Sequence, residues 1–353
     1  MQESALVTLA EHPVFAQSAA ILDRLYESYD FLAECVAPDL WPVDSTGHRI
    51  PRETALEPVV RHELDQALRR IRDTPACAAT LSALADGPLV GGTLAAEEER
   101  AGIARAVELP GHRLPLLTDP ALPGDVHRAF ENLFRRHLSA GEDADRLTRV
   151  TAAQATTLRA AVELMLTTAP ALAGGLLRHA RYVVAVDGPG AFDSASTREI
   201  PGVAFVAVRC MRTPERLAEA LLHEFVHLRL YDLQATRSVF APAYDTDTAP
   251  TVAPEWHRTS EVSRWPVDRA LAAAHVYVHL RAWFERRAED SGEPDLRRSA
   301  ETAAFRATSL LDKVAGHAGE CLGPAGRDLL RWLTELHRTR PGRPAPAHEQ
   351  MAS

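Results

Sequence analysis

His223-Glu224-Phe225-Val226-His227 places two imidazoles four residues apart with a carboxylate between them. On a helix this spacing brings both histidines to one face, one turn apart, with the glutamate projecting beside them. Two neutral nitrogens suit a divalent transition metal, and the glutamate is left to manage a proton or orient a ligand. A histidine pair at this spacing also arises by chance on soluble helices, so the flanking sequence has to decide. Thr213-Pro214-Glu215 reads as an N-cap, a first-turn proline and an early acid, which together start a helix. Leu217, Ala220, Leu221 and the run Leu228 to Tyr231 then keep the segment apolar enough to be buried. Two histidines on a buried helix without a metal would need other partners for their polar atoms.

The elements that position the pentad begin upstream. Arg181 to Val186 and Val203 to Val208 are β-branched and aromatic runs of strand length. Asp187-Gly188-Pro189-Gly190 is a turn-rich connection between them, followed by Phe192 to Ser196 and Pro201-Gly202. The order strand, loop, strand, metal helix is that of zinc-peptidase-like cores, in which a sheet edge runs over the metal cleft. An extended peptide can add to such an edge through main-chain hydrogen bonds. The expected fold is therefore mostly α with a small antiparallel β-sheet: an α+β class with a zincin-like strand–strand–metal-helix core flanked by helices.

Two histidines leave a metal short of protein ligands. The extended peptidase motif, a glycine and then a third histidine soon after the pentad, is absent; Leu230 and Leu233 hold those positions. Downstream lie Glu255-Trp256-His257-Arg258, Arg264-Trp265-Pro266, and a helical stretch with His275 and His279 at i, i+4. Pro266 fits the first helical position, and Ala270 to Ala274 propagate the helix. His275 is the first choice for third ligand because it lies deeper in the apolar stretch. His279 and His257 are alternatives, and Glu255 is the carboxylate option of a two-His, one-Glu zinc site.

From about Pro170 to Arg287 the chain resembles the HExxH-containing peptide-modification proteins found beside ribosomally made natural-product precursors. The residues that carry the resemblance are Phe192-Asp193-Ser194-Ala195-Ser196, Pro201-Gly202-Val203, Ala218 to His227, Trp256-His257-Arg258 and the segment Arg264 to Pro266. That family usually reads Arg-Pro where this chain reads Arg264-Trp265-Pro266. Its members are α-ketoglutarate-dependent, iron-using peptide β-hydroxylases, so the resemblance implies non-haem Fe(II), with α-ketoglutarate and O2 as cosubstrates. Iron in that role needs three protein ligands on one face and open positions for the oxo-acid and dioxygen. His223, His227 and His275 would supply the face. The distal carboxylate of the cosubstrate needs a cation, best an arginine fork, and Arg264 and Arg258 are the candidates. Glu224 would then orient a ligand or hold water. In a peptidase, Zn would replace Fe(II) and the same glutamate would deprotonate the metal-bound water.

With 353 residues, 46% hydrophobic and 25% charged, the chain is long enough for one large or two modest domains. A formal net charge of -9 argues against nucleic acid and against anionic membranes as partners. No run approaches the roughly 20 apolar residues of a membrane span, and no signal-peptide pattern opens the chain. Cys35, Cys77, Cys210 and Cys321 have no paired spacing and read as reduced, buried thiols of a cytoplasmic protein.

Helical spacing is expected at Phe15 to Val36, Thr54 to Arg72, Glu97 to Val107 and Asp125 to Leu138. It continues from Asp143 to Arg178 with breaks near Pro170 and Gly174-Gly175, and returns at Asp295 to Gly316 and Gly326 to Arg338. The sequence divides into an N-terminal helical region, 1–168, a catalytic core, 169–340, and a disordered tail, 341–353. The N-terminal helices have three candidate uses: covering the site, recognising a leader peptide, or forming a homodimer interface. His12, His62, His127, His137 and His179 have no mutual spacing that points to a second metal. Three classes of function are open: an iron hydroxylase acting on a ribosomal precursor peptide, a zinc metallopeptidase, and a non-catalytic peptide-binding scaffold.

Overall fold

The computed structural model describes residues 5–36, 43, 47–69, 107–109, 112–114, 116–117, 125–138, 145–188, 193–256 and 264–339. The expected helix over 97–107 falls almost wholly outside these residues, and the tail 341–353 does so entirely. The chain packs as two compact units, one formed by 17–236 and the other by 1–16 together with 237–353.

Helix α1 (Ala5–Glu11) belongs to the second unit. The first unit opens with α2 (Ser18–Val36), α3 (Arg52–Ala55) and α4 (Pro58–Arg69); Leu25, Tyr29, Val60 and Leu64 on α2 and α4 form one apolar cluster with Ile50 from the loop before α3. After strands β1 (Val107–Leu109), β2 (His112–Leu114) and β3 (Leu116–Leu117) comes α5 (Asp125–His137). Strand β4 (Arg146–Thr148) lies inside the stretch expected to be helical. It is a strand because it docks antiparallel on the next one, Leu147 facing Val186. Helix α6 (Ala152–Thr168) starts at a capping box: Thr151 Oγ1 accepts from Gln154 N, and Gln154 Oε1 accepts from Thr151 N. Leu158, Ala161, Val162 and Met165 form its buried stripe. The break at Pro170 is as expected, but Gly174-Gly175 lies within α7 (Pro170–Leu177) and does not interrupt it.

Strands β5 (Tyr182–Asp187) and β7 (Val203–Ala207) pair in parallel, Tyr182 opposite Val203 and Val186 opposite Ala207. This corrects the expectation of an antiparallel sheet. The segment between them is long enough for the crossover that parallel pairing requires. It also contributes β6 (Ser194–Ala195), which pairs antiparallel with the far side of β7. The five-stranded sheet is thus mixed, in the order β3-β5-β7-β6 with β4 also on β5. All of β7 and all but the last residue of β5 are buried, as fits central strands covered on both faces. A short 3-10 turn over 208–212 leads into α8 (Pro214–Thr236).

In the second unit β8 (Thr251–Val252) pairs antiparallel with β9 (Trp265–Pro266), which runs into α9 (Val267–Ser291). Pro266 caps that helix and does not start it. Helices α10 (Pro294–Ala315), α11 (Ala318–Cys321) and α12 (Pro324–Arg338) complete the unit. The architecture is α+β, mostly helical. No helix among the described residues is long and apolar enough to cross a membrane. Cys210 and Cys321 are buried and free as expected; Cys35 is also free but exposed on α2, and Cys77 lies outside the described residues.

Candidate metal centre

Helix α8 begins as its sequence prescribes, with Thr213 Oγ1 accepting from Arg216 N and Glu215 in the first turn. It then buries nearly its whole circumference, from Leu217 through Leu233, against α2, α6, α7 and β7. Arg216, Glu219, His223, His227, Tyr231 and Gln234 remain at least partly accessible. Their spacing of three or four residues makes them one stripe. The two histidines therefore sit on the side of a core helix that still reaches solvent.

Their Nε2 atoms approach to 3.2 Å. Two donors bound to one ion at about 2.1 Å stand roughly 2.9 to 3.4 Å apart, so the pair fits a shared transition-metal ion. A hydrogen bond between two neutral imidazoles also spans this distance. Burial, and then the neighbouring His223, hold the His227 pKa well below its ordinary value, so its ring is neutral as a ligand must be. Its Nδ1 is buried and meets no hydrogen-bond partner among the described residues. Tyr231 stacks on the His227 ring at 5.9 Å, and burial followed by the charge of Glu224 pushes its phenol upward in pKa.

Glu224 is 2% exposed. Its Oε1 accepts from Ser194 Oγ and its Oε2 from Ser196 Oγ, both at 2.6 Å. Oε1 stands 4.0 Å from His223 Nε2. The serines belong to β6 and the residue just beyond it, so the sheet edge is tied directly to the pentad. Asp193 braces the same turn, accepting from Arg209 Nε at 2.8 Å and from Arg216 on the first turn of α8 at 3.1 Å. These two arginines hold the Asp193 carboxyl below its usual range. In the sequence, the only sign of a shared role for Ser194 and Ser196 is their i, i+2 spacing, which in extended chain points two side chains the same way.

No protein-family model matches the sequence, and no curated protein matches it.

The other expected site residues belong to the second unit. His275 and His279 are both buried on α9, with ring centroids 4.5 Å apart. His279 Nδ1 stands 2.7 Å from the His275 carbonyl, the anchoring that fixes a ring with Nε2 as its acceptor. Arg264 does not present a bare fork: Nε donates to Thr251 Oγ1 at 2.7 Å and NH2 to Thr251 O at 3.1 Å, stapling β8 to β9. Glu255 accepts from Lys313 Nζ at 3.3 Å. Arg258 and His257 lie outside the described residues. Among the described residues no group of three or more His, Cys, Asp or Glu side chains is arranged to hold a metal ion. His223, His227 and Glu224 are brought together; the third ligand is an expectation from sequence.

Proposed function

We propose that the chain is a non-haem Fe(II), α-ketoglutarate- and O2-dependent dioxygenase that hydroxylates the β-carbon of a residue in a ribosomally made precursor peptide. The observation that carries this reading is the 3.2 Å approach of two imidazole nitrogens on the accessible stripe of α8. The resemblance of the segment to HExxH peptide β-hydroxylases supplies the identity of the ion and of the cosubstrate. His223 and His227 hold the ion, with His275 as third ligand and His279 as its alternative. When bound, the ion would activate O2, which is the oxidant, with the oxo-acid and the peptide C–H bond each giving up two electrons; no side chain offers that chemistry.

The remaining roles fall to residues already described. The outer edge of β6, the last strand in the sheet order, offers main-chain donors and acceptors to an extended peptide beside the histidine pair. Arg264 keeps further N–H donors beyond those it gives to Thr251 and is the candidate partner for the cosubstrate's distal carboxylate, as is Arg258. A homodimer and a cytoplasmic setting belong to the same proposal.

The zinc peptidase is the second reading, with Glu255 as its carboxylate ligand. It requires a glutamate that reaches a water entering from solvent. The burial of Glu224 and its two serine donors support the hydroxylase over the peptidase. The deciding experiment adds Fe(II) and α-ketoglutarate to the apo-protein without oxygen. The expected result is the weak visible charge-transfer band of an iron-bound oxo-acid. No band, together with peptide cleavage that a chelator stops, would replace this reading with the peptidase.

A further inference from the structure

Two donors that occupy adjacent positions on one ion, each about 2.1 Å from it, stand roughly 3 Å apart. His223 and His227 meet that requirement at 3.2 Å, whereas Glu224 Oε1 is 4.0 Å from His223 Nε2. A carboxylate free to move beside a divalent ion competes for a place in its ligand set. Here each oxygen is claimed by a separate hydroxyl at 2.6 Å, Oε1 by Ser194 and Oε2 by Ser196. Ser194 lies on β6 and Ser196 one residue beyond it, on a segment pinned to the sheet at its start. Ser194 is paired opposite Val206 on β7, Asp193 O accepts from Ala207 N, and the Asp193 side chain is held by Arg209 and Arg216. The clamp is thus anchored to the sheet and to the first turn of the same helix that carries the pentad.

We infer that Ser194 and Ser196 are positioning residues that hold Glu224 out of the ligand set of an ion bound at His223 and His227. The inference rests on the metal reading of that pair, though not on the reaction proposed for it. Coordination by Glu224 would close one of the positions that such an ion otherwise leaves to exogenous ligands. The serines therefore keep the site open while leaving a buried negative charge close to the ion.

Co(II) on the full chain is the probe, followed by its visible absorption and by competition with a chromophoric chelator. Wild type and the Ser194→Thr/Ser196→Thr variant, which keeps both hydroxyls, should give the same bands. Ser194→Ala/Ser196→Ala should shift the bands and bind Co(II) about tenfold more tightly, because the released carboxylate joins the ion. Adding Glu224→Gln to the double alanine variant should return both readouts to wild type. Ser196→Ala alone frees one oxygen and should give a smaller shift in the same direction, which keeps the test usable if the double variant fails to fold. Bands and affinity identical in wild type and in these alanine variants would overturn the inference. Wild type that takes up no Co(II), or binds it unchanged after His223→Ala, would instead remove the metal reading and the clamp's purpose with it.

Discussion

Arg61 on α4 and Asp232 on α8 form an ion pair at 2.6 Å with their side chains 4% and 2% exposed. Asp232 also faces His179 Nδ1 at 2.7 Å, so one oxygen serves Arg61 on α4 and the other the turn that follows α7. The pair links the N-terminal helices to the helix of the pentad within one packing unit. Burial opposes the charge on Asp232, but Arg61 and His179 together leave its carboxyl below the ordinary range. Removing one partner of such a pair leaves a buried charge uncompensated, which costs about 3 to 5 kcal/mol. Asp232→Ala should lower the urea-unfolding free energy by that amount. Arg61→Met combined with Asp232→Leu should recover much of the loss, since well-packed apolar residues often replace a buried pair without penalty. A double variant as unstable as the single one would show that the pair stabilises beyond its own charges.

Loss of either pentad imidazole should abolish stoichiometric binding of Fe(II) or Co(II), because one nitrogen from this helix cannot hold the ion with only one further ligand. His223→Ala is the cleaner variant, since His223 is partly exposed and its removal leaves the packing of Phe225 and Val226 in place. Isothermal titration with Co(II) checks this: uptake by His223→Ala equal to wild type would mean that the 3.2 Å contact is only a hydrogen bond between neutral rings.

The third ligand proposed from the sequence is open to a direct test by two substitutions. His275→Ala should abolish metal uptake, and His279→Ala should weaken it less. The anchoring of His279 Nδ1 at the His275 carbonyl is a reason to measure both. The opposite order of effects in the same titration would move the ligand from His275 to His279.

The helix of the pentad was legible because its start is written in Thr213-Pro214-Glu215 and its interior in an apolar run interrupted by two histidines. The strands β5 and β7 were legible from their β-branched runs, but their relative direction was not. Continuous apolar runs such as Tyr182 to Val186 mark burial on both faces, which is the condition of parallel strands; the turn residues between them favoured a hairpin instead. Strand β4 was illegible because Arg146-Leu147-Thr148 has no strand pattern of its own and is fixed by docking on β5. The partners of Glu224 and Asp232 were equally hidden. They come from 28 to 171 residues away, and a hydroxyl or guanidinium carries no mark of the carboxylate it will meet.

His337 on α12 should make the protein less stable in mild acid. Arg281 NH1 donates to its Nδ1 at 3.2 Å, which requires that nitrogen to be unprotonated, and Nε2 then donates to Thr308 Oγ1 at 2.8 Å. Burial and then the charge of Arg281 pull the pKa down to about 4, below the ordinary value of 6.5. Between those values the unfolded chain binds a proton that the folded one refuses. This contribution is therefore complete above pH 6.5 and is lost as pH falls toward 4. A fall of that size corresponds to at most about 3.4 kcal/mol, and solvent screening brings it below that. Unfolding at pH 7 and pH 5 should show a smaller loss for His337→Gln than for wild type, and equal losses would assign the acid sensitivity elsewhere.

Gly326, in the first turn of α12, should tolerate no side chain. A Cβ built there would collide with the carbonyl of Val239, and that carbonyl is pinned because it accepts from Gly323 N at 3.0 Å. The neighbouring bridge between Phe240 and Leu322 holds the same two segments together, so neither backbone can retreat alone. Alanine is ordinarily the better helix former by about 1 kcal/mol, and propensity alone would make Gly326→Ala stabilising. Overpacking against fixed backbone costs about 1 to 3 kcal/mol or more and reverses that sign. Gly319→Ala on α11, where a Cβ meets nothing within 4 Å, is the control and should be neutral or slightly stabilising. A thermal melt in which Gly326→Ala matched Gly319→Ala would mean that the Val239 segment can yield, and that the close approach is not what requires glycine at this position.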